Sequence, residues 1–593
     1  MTVNEKLQLL RAKMKENSFD AYIIPSSDPH QSEYVANHFK SREWISGFTG
    51  SAGTAVVFAD HAGLWTDSRY FIQAEKEFKY SEFELHKIID RSNPGMIEFI
   101  ADKLDNGATI GCDGNVFALE EINEIKDKFS SKNINLNTET DLISELWADR
   151  PSLPKNKIAD LPVKYSGKSR LEKMDELRQF MSEKKADEYL IPALDSIAWV
   201  LNLRGDDIAF NPVFYSFGIL RKNDFLIFVD KNKIDNQLST ELNASSVELH
   251  DYSEVYQYLS SLDSDTSIYV DTSMCNFNLF NNISCQVIAG QDLITGLKAI
   301  KNETEITNLK QAHVNDGVSL VKFYMWLENE LSHRKGTEFE AGEKLATFRA
   351  IHPEYKSESF EPIVGYKSNG AIVHYSAEEN KCADIENEGM LLVDSGGQYE
   401  NGTTDITRTS YFGNPTDVEQ RDYTIVLKGH LAVKRLIFPE GTNGYQIDVF
   451  ARQYLWNYGL NFYHGTGHGV GFYLNVHEGP QGITSSLVAR AKVPIKVGML
   501  TSNEPGYYKE DHYGIRIENL ILAELAFETE HGRFIKHEDV TLFPYEIKLI
   551  DFSMLEREEV ILINDYHSMV YESLSKYLNN DEKEWLKEKC RKI

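Results

Sequence analysis

Two stretches of the chain repeat one another, and this repeat limits the folds that the sequence can adopt. Residues 10–28 read LRAKMKENSFDAYIIPSSD and residues 177–195 read LRQFMSEKKADEYLIPALD, with identical residues recurring at a constant offset. In each copy a helical pattern leads into a short β-rich run that ends at a proline. An ungapped match of this kind favours duplication over a chance likeness between two amphipathic helices. The repeat therefore predicts two related α/β domains.

Changes in composition along the chain predict where its domains end. The segment 149–170 contains prolines and a basic cluster, so we interpret it as a linker. A long amphipathic helical pattern follows Ile300, with Thr304 predicted as the N-cap before acidic first-turn residues. The predicted domains are residues 1–155, 156–302 and 303–593. The last of them ends in a charged helical tail.

Whole-chain properties exclude several classes of protein. With 593 residues the chain is too long for a single hydrophobic core. Its formal net charge of −29 argues against a nucleic-acid partner and against binding to an anionic membrane. The five cysteines include no CxxC pair, so neither a disulfide framework nor a structural zinc site is indicated. No apolar run reaches the roughly 18 residues of a membrane span, and the N-terminal segment has no apolar signal-peptide core. These features predict a soluble, cytoplasmic protein.

Potential metal ligands occur in order in the last third of the chain, namely Asp394, Asp405, His468, Glu504 and Glu518. Carboxylates with a single imidazole form an oxygen-rich set that suits a pair of divalent cations. The set predicts metal-activated hydrolysis.

Residues 389–413 predict a hairpin that carries the first two of these ligands. Asp394 ends an apolar strand, Asn401 and Gly402 mark the turn, and Asp405 begins a threonine-rich strand. A buried carboxylate at the end of the first strand needs a cation. A strict two-residue Asn-Gly turn staggers the two aspartates too far for them to share a pair of metal ions, so we expect a bulge or a longer loop. Taken alone, this motif also fits two solvated turn aspartates.

The other ligands lie in motifs that contain further candidate residues. Residues 462–480 hold His464, His468 and His477 among glycines. We predict one imidazole ligand and two imidazoles that donate hydrogen bonds or carry protons. Glu504 lies at a predicted strand end before a Pro-Gly turn.

Alternation in the segment GIRIENLILA places Arg516 and Glu518 on the same side of a strand. Arg516 is therefore a candidate for orienting the Glu518 carboxylate, and a surface strand of ion pairs is the alternative interpretation. His374 follows a short apolar run, and a functional role for it depends on the other motifs.

Short segments spread over nearly the whole chain carry a family resemblance. They are VDSG, GTTDITRT, HGTGHGVG, NVHEGP, NEPGYY and GIRIEN in the last third, with HQSEYV, ISGFTGSAGTAVV and LWTDSRYF near the N-terminus. Together they resemble the pita-bread metallopeptidases, and within them the three-domain cytosolic type of Xaa-Pro aminopeptidase (aminopeptidase P). The resemblance implies a chain of mixed α/β and α+β class, with two duplicated creatinase-like N-terminal domains followed by a pita-bread catalytic domain.

The resemblance also implies roles for the five ligands. Asp394, Asp405 and Glu518 contact one metal ion, and Asp405 and Glu518 bridge to the second. His468 and Glu504 complete the coordination of the second ion. The two ions are expected to be Mn²⁺, with Co²⁺ or Zn²⁺ as alternatives.

Further residues receive roles on the same basis. His374, His464 and His477 occupy substrate-contacting and proton-handling positions, and Glu504 is the expected proton acceptor. Tyr508 or its neighbour Tyr507 is the candidate for lining a proline pocket. Arg69 either reaches the mouth of the active site or braces the first domain, and the sequence leaves both alternatives open.

The implied activity is release of the N-terminal residue from peptides with proline at position two, through hydroxide activated by the two metal ions. A homodimer formed through the C-terminal domain is also implied, with Trp456 as a candidate contact. A prolidase acting on Xaa-Pro dipeptides is the first alternative, although the duplicated N-terminal domains disfavour it. A non-catalytic peptide-binding relative and a creatinase-like enzyme are disfavoured by the intact ligand set.

Overall fold

A computed structural model describes residues 1–88 and 95–593 of the chain. The described residues divide into two units. Unit 1 comprises Met1–Leu161 and Lys168–Ile294, and unit 2 comprises Pro162–Gly167 and Thr295–Ile593. Within the described ranges, no helix is both long and apolar enough to cross a membrane.

The first part of unit 1 is a six-stranded sheet with helices. The strands are β1 (Ala21–Pro25), β2 (Thr54–Phe58), β3 (Ala62–Asp67), β4 (Phe83–Ile88), β5 (Thr109–Cys112) and β6 (Asn135–Asn137). The helices are α1 (Val3–Glu16), α2 (Ser41–Ser46), α3 (Phe71–Glu77), α4 (Met96–Lys103), α5 (Leu119–Phe129) and α6 (Leu142–Leu146). The strand order is β4-β3-β2-β1-β5-β6, in which β1, β2 and β3 are antiparallel and the outer pairs are parallel.

The second part of unit 1 repeats this arrangement. Its strands, with two short bridging strands, are β7 (Ala159–Asp160), β8 (Glu188–Ile191), β9 (Leu203–Arg204), β10 (Ser216–Arg221), β11 (Phe225–Val229), β12 (Val247–His250), β13 (Ser267–Val270) and β14 (Gln286–Ala289). The helices of this stretch of chain are α7 (Val163–Ser166), α8 (Arg170–Lys184), α9 (Leu194–Leu201), α10 (Asn236–Ala244), α11 (Glu254–Ser260), α12 (Phe277–Asn281) and α13 (Leu293–Ala299). The sheet order β12-β11-β10-β8-β13-β14 has the same topology and the same strand directions as the first sheet.

The repeated segments occupy equivalent places in the two sheets. Each starts within a helix that begins with a capping box, formed by Thr2 and Glu5 at α1 and by Ser169 and Glu172 at α8. Each helix buries one apolar stripe and leads into the central strand of its sheet. The shared topology confirms the predicted duplication.

Unit 2 contains the long helix that the sequence predicted. Its helices after α13 are α14 (Glu303–Leu331), α15 (Glu338–Arg349), α16 (Asp417–Lys434), α17 (Gly444–Trp456), α18 (Arg557–Leu574) and α19 (Asn580–Lys589). The N-cap of α14 is Asn302, whose side chain accepts a hydrogen bond from the backbone N–H of Glu305. The prediction of Thr304 as the cap was wrong, because Asn302 and Glu305 form a reciprocal capping box and place Thr304 inside the first turn.

The strands of unit 2 form several small sheets. They are β15 (Gly336–Thr337), β16 (Tyr355–Glu358), β17 (Ile363–Tyr366), β18 (Asp384–Ile385), β19 (Gly389–Ser395), β20 (Gly397–Tyr399), β21 (Gly402–Thr403), β22 (Ile406–Phe412), β23 (Ile437–Pro439), β24 (Gly467–His468), β25 (Gly482–Ile483), β26 (Leu500–Asn503), β27 (Gly506–Lys509), β28 (Tyr513–Arg516), β29 (Asn519–Thr529) and β30 (Gly532–Asp539). The larger sheets are β17-β19-β22, β16-β20-β21 and β23-β30-β29-β26. One apolar core includes residues of α14–α19, of the sheet β17-β19-β22 and of strands β23, β29 and β30, so these two sheets share a rigid support.

The buried imidazole of His567 on α18 makes the stability of unit 2 depend on pH. Its Nε2 accepts a hydrogen bond from the Tyr545 backbone N–H at 3.1 Å, which only a neutral imidazole can do. Burial, reinforced by the Arg408 charge, lowers the pKa of His567 to about 4, against roughly 6.5 in an unfolded chain. The folded state then binds fewer protons than the unfolded state. Stability present above about pH 6.5 is therefore lost as the pH falls toward about 4, by on the order of 2 kcal/mol at pH 5.

We expect His567→Gln to lessen this acid loss, because the glutamine amide oxygen can accept the same hydrogen bond without titrating. Urea unfolding of the full chain at pH 7 and pH 5 measures the effect. His531→Gln is the control, since His531 is exposed and should leave the loss unchanged. An acid loss in His567→Gln equal to that of the unsubstituted chain would contradict the assignment.

Candidate metal centre

The β19–β22 hairpin brings Asp394 and Asp405 to one face of a sheet. Asp394 pairs with Thr407 and Ser395 pairs with Ile406. The turn lies at Glu400–Asn401, because Tyr399 pairs with Gly402 across it. Both predictions for this hairpin were wrong: the turn is one residue earlier than Asn-Gly, and the pairing keeps one register from β20–β21 through β19–β22 without a bulge. A turn shifted by one residue halves the stagger of the aspartates, so they become neighbours on the same face.

The remaining predicted ligands come from three other segments of unit 2. His468 ends the short strand β24, Glu504 follows β26 directly, and Glu518 precedes β29. Asp405, His468 and Glu518 offer ligand atoms that all lie within 4.8 Å of one another. The His468 Nε2 lies 3.6 Å from Asp405 Oδ2 and 3.6 Å from Glu504 Oε1. Four of the five residues thus converge on one point.

Asp394, the fifth residue, is held by an arginine. The Arg516 Nη2 donates to Asp394 Oδ2 at 2.6 Å, and Arg516 Nε donates to Thr407 Oγ1 at 3.2 Å. Thr407 in turn donates to Glu518 Oε2 at 2.8 Å. The direct partner of Arg516 is therefore Asp394. The predicted influence of Arg516 on Glu518 is indirect, because Thr407 lies between the two side chains.

Two carboxylate oxygens in this cluster indicate whether the cluster can hold metal ions. Asp394 Oδ1 and Glu518 Oε1 are buried, and the described part of the chain supplies no hydrogen-bond donor to either atom. A buried carboxylate oxygen without a partner is costly unless a cation binds it. The donor set of carboxylates with one imidazole therefore fits divalent cations.

The electrostatics of the cluster point in the same direction. Burial, followed by the charges of neighbouring carboxylates, raises the pKa of Asp405 and of Glu518 well above their usual values. Burial also raises the pKa of Glu504 to about 7. Burial, followed by His477, lowers the pKa of His468 and keeps its imidazole neutral, the form that binds metal. So many buried carboxylates cannot all ionise together unless cations neutralise them.

Several other predicted residues contact a ligand or the arginine that holds Asp394. His464 Nε2 lies 2.7 Å from the Tyr508 hydroxyl, which also accepts from Arg516 Nη1 at 2.7 Å. His477 contacts His468 with ring centroids 4.3 Å apart. His374 follows Val373, whose carbonyl accepts a 3.5 Å hydrogen bond from Arg516 Nη2. A chain of contacts therefore links His464, through Tyr508 and Arg516, to Asp394.

Arg69 belongs to unit 1 and makes a bidentate ion pair within its own segment. Its Nε and Nη2 donate to Asp67 Oδ1 and Oδ2 at 2.8 and 2.7 Å. This pair fits the bracing role among the two alternatives that the sequence left open.

Sequence analysis missed two hydroxyl residues that hold the ligands. The first is Thr407, which donates to Glu518. The second is Ser502, whose hydroxyl accepts a hydrogen bond from the His468 backbone N–H at 2.9 Å and donates to Glu504 Oε1 at 3.3 Å. Each of these residues lies two positions from a ligand, Thr407 after Asp405 and Ser502 before Glu504. Side chains two positions apart on a strand share a face, and this spacing was the available signal.

Comparisons with known proteins agree with this geometry. Residues 6–146 and 149–305 match models of the creatinase/prolidase N-terminal domain, residues 307–524 match metallopeptidase family M24, and residues 533–593 match the C-terminal region of that family. A probable Xaa-Pro aminopeptidase P of Laccaria bicolor is 40% identical, over 99% of this chain and 94% of its own length. Xaa-Pro aminopeptidase 1 of Dictyostelium discoideum is 40% identical, over 100% of this chain and 97% of its own length.

A solved structure matches along the whole chain. X-prolyl aminopeptidase from Caenorhabditis elegans, described as a cytosolic enzyme with a dinuclear active site, superposes with a TM-score of 0.95 at 32% identity and covers 100% of both chains. The fold and the cluster of donors define a hydrolase of the pita-bread metallopeptidase class. The chain belongs to the Xaa-Pro aminopeptidase branch of metallopeptidase family M24. The predicted fold class, two creatinase-like domains followed by a metallopeptidase domain, is confirmed.

Proposed function

We propose that this chain is an aminopeptidase that binds two divalent metal ions and releases the N-terminal residue from peptides with proline at position two. The observation that carries the proposal is the convergence of potential metal ligands from four segments of unit 2. Two of their carboxylate oxygens, both buried, receive no hydrogen bond from the described residues. Relatives that match along the whole chain are named for this activity. The domain limits 1–155, 156–302 and 303–593 are part of the same proposal.

Asp394, Asp405, His468, Glu504 and Glu518 would hold the two ions. When bound, such ions polarise a carbonyl and lower the pKa of water toward neutrality. The oxygen-rich donor set supports Mn²⁺, with Co²⁺ and Zn²⁺ as alternatives. The description of the Caenorhabditis elegans enzyme as dinuclear supports two ions rather than one.

Residues of the chain are proposed to carry out proton transfer, stabilise developing charge and contact the substrate. Glu504 is the proposed proton acceptor, because it is partly accessible while Ser502 and His468 lie against its Oε1. His464 contacts the Tyr508 hydroxyl, and this contact orients an imidazole that can stabilise an oxyanion or a departing nitrogen. His477 and His374 are proposed to contact the substrate, and Tyr508 is proposed to border the site that accepts the proline ring.

An assay on paired peptides tests the activity. The protein is stripped of metal with a chelator, Mn²⁺ is added back, and hydrolysis of X-Pro-Y, X-Ala-Y and X-Pro is measured. We expect cleavage of X-Pro-Y that depends on added metal, with little cleavage of X-Ala-Y. Equal cleavage of X-Pro-Y and X-Ala-Y, or of neither, would remove the proline-specific proposal, and faster cleavage of X-Pro than of X-Pro-Y would favour a prolidase.

We further propose a cytoplasmic homodimer that forms through unit 2. Helix α17 and the residues after it expose large apolar side chains, which include Tyr445, Phe450, Trp456, Tyr458 and Tyr463. Exposed aromatic side chains grouped in one stretch of chain are candidates for an interface, where aromatic residues are enriched. The cytosolic description of the Caenorhabditis elegans enzyme supports the compartment.

The dimer proposal is tested by light scattering after size-exclusion chromatography. Trp456→Glu is expected to halve the measured mass, because it places a charge on a surface that would be buried between subunits. Tyr80→Glu, an exposed aromatic residue in unit 1, is the control and should not change the mass. A monomeric mass for the unsubstituted chain would contradict the proposal.

A further inference from the structure

A second group of potential metal ligands lies in the first sheet of unit 1. His61 lies in the turn between β2 and β3, and His86 lies on β4, an edge strand of that sheet. Glu84 precedes His86 by two positions on β4, so both side chains lie on the same face. The three residues offer ligand atoms that all lie within 4.8 Å of one another. None of them belongs to the candidate metal centre.

The two imidazoles face one another at a distance that suits a shared ion. His61 Nε2 lies 3.2 Å from His86 Nε2, and the rings are nearly perpendicular at 86°. Zinc binds imidazole nitrogen at roughly 2.0–2.1 Å with tetrahedral angles, which places two such nitrogens about 3.3 Å apart. The observed separation therefore requires almost no movement to admit a tetrahedral ion.

The surrounding residues hold the imidazoles in these positions. The His86 ring stacks on Trp65 with centroids 4.0 Å apart and planes 7° apart. Phe99 packs against both imidazoles, at 4.8 Å from His86 and 5.5 Å from His61. Gly63 leaves the necessary space, because a Cβ there would lie 2.7 Å from His86 Cδ2 and 2.8 Å from His86 Nε2. A site held in this way loses little conformational entropy when it binds an ion.

The charge state and the neighbouring carboxylate also suit a metal ion. Burial lowers the pKa of both His61 and His86, so both rings are neutral near pH 7 and can act as ligands. Glu84 Oε1 lies 3.7 Å from His61 Nδ1, and its side chain is 70% exposed and so can rotate toward the imidazole pair. Asp60, which lies in the same turn as His61, is paired with Lys103 at 3.1 Å.

We propose that His61, His86 and Glu84 form a binding site for a divalent transition-metal ion, with Zn²⁺ as the favoured occupant. Two imidazoles and a carboxylate favour zinc, nickel or copper over magnesium or calcium. A fourth position would be open to water, as is usual for zinc with three protein ligands. The competing explanation is a direct N–H···N hydrogen bond between two neutral imidazoles with no ion.

Zinc stoichiometry of the full chain distinguishes the two explanations. Each protein is dialysed to equilibrium against buffered free Zn²⁺, and the bound zinc per chain is measured by inductively coupled plasma mass spectrometry. We expect His61→Ala to bind one zinc ion fewer than the unsubstituted chain while its peptidase activity is unchanged. His531→Ala is the matched control, because His531 is an exposed histidine that lies 3.7 Å from Glu530, and it should keep the full stoichiometry. The same stoichiometry in His61→Ala and the unsubstituted chain would overturn the proposal.

A second variant decides the question if His61→Ala does not fold. Glu84 is largely exposed, so Glu84→Gln should leave the fold intact, as circular dichroism can verify. We expect the affinity of this site for Zn²⁺ to fall by at least about tenfold in Glu84→Gln. An unchanged zinc titration would exclude Glu84 as a ligand, and the three-residue site would be excluded with it.

Discussion

Asp405→Asn is expected to reduce peptidase activity by more than roughly 100-fold, which exceeds the loss typical of residues that only orient a ligand. Asp405 lies where His468, Glu504 and Glu518 converge, and its Oδ2 is 3.6 Å from His468 Nε2. Asparagine keeps the shape of the side chain but removes a negative charge that would help to hold the divalent cations. The measurement is the rate of X-Pro-Y hydrolysis at saturating Mn²⁺, together with the number of metal ions bound per chain.

The same substitution, which lowers activity, should raise the stability of the metal-free protein near pH 8. Burial and the neighbouring Asp394 raise the pKa of Asp405 well above its value in an unfolded chain. The stability that a carboxyl with a raised pKa contributes is present at low pH and is lost as the pH rises. Asparagine does not titrate, so metal-free Asp405→Asn should unfold at a higher temperature than the metal-free unsubstituted chain near pH 8. The two should converge toward pH 4.

Asp511→Asn is the matched control for these experiments. Asp511 is an exposed aspartate in unit 2 whose left-handed backbone conformation asparagine also tolerates. We expect it to retain full activity, full metal content and unchanged unfolding. If Asp405→Asn retained activity or bound metal normally, the proposed dinuclear centre would be wrong.

Arg349→Met is expected to destabilise the protein by about 3–5 kcal/mol, the usual cost of removing one member of a buried ionic cluster. The Arg349 side chain is 0% exposed. Its Nε donates to Asp316 at 2.7 Å, and its Nη1 donates to Glu358. Its Nη2 also donates to Ser395 Oγ at 3.0 Å, and its Nη1 to the Gly396 carbonyl at 3.3 Å. Methionine fills similar volume but leaves two buried carboxylates without a cation. Burial already raises the pKa of Glu358 despite the arginine.

The substitution should also lower activity, because Ser395 and Gly396 follow Asp394 directly. Urea unfolding gives the free energy, and hydrolysis under conditions where the variant is folded gives the activity. Arg334→Met is the matched control, since Arg334 also pairs with two glutamates, Glu330 and Glu340, but its side chain is 48% exposed. Loss of these exposed, solvent-screened pairs should cost far less than loss of the buried cluster. Equal losses for Arg349→Met and Arg334→Met would contradict the structural role of the buried cluster.

Much of the fold could be predicted from local patterns in the sequence. The repeat between residues 10–28 and 177–195 predicted a duplication, and the two sheets share order and strand direction. The long helix after Ile300 was predicted correctly, but its N-cap is Asn302 rather than Thr304. Helix ends depend on which residue forms the reciprocal capping bonds, and Asn302 forms them with Glu305.

The sequence identified the residues of the candidate site, but it did not predict which residues lie opposite each other in the hairpin. The structure gathers Asp394, Asp405, His468, Glu504 and Glu518 in one buried region of unit 2, and their role as metal ligands stays a prediction. The turn position was wrong by one residue, and that single step changes which residues lie opposite each other.

The sequence alone determined the chemical kind of the site and the duplicated plan of the N-terminal domains, because donor types and helix–strand periodicity are local properties. Only the tertiary structure decided that Arg516 holds Asp394 rather than Glu518, that Tyr508 joins His464 to Arg516, and that Arg349 supports the hairpin between the aspartates. These partners are far apart along the chain, apart from Arg516 and Tyr508. Which distant residues come into contact depends on strand register and sheet packing, and neither can be predicted from the local spacing of residues.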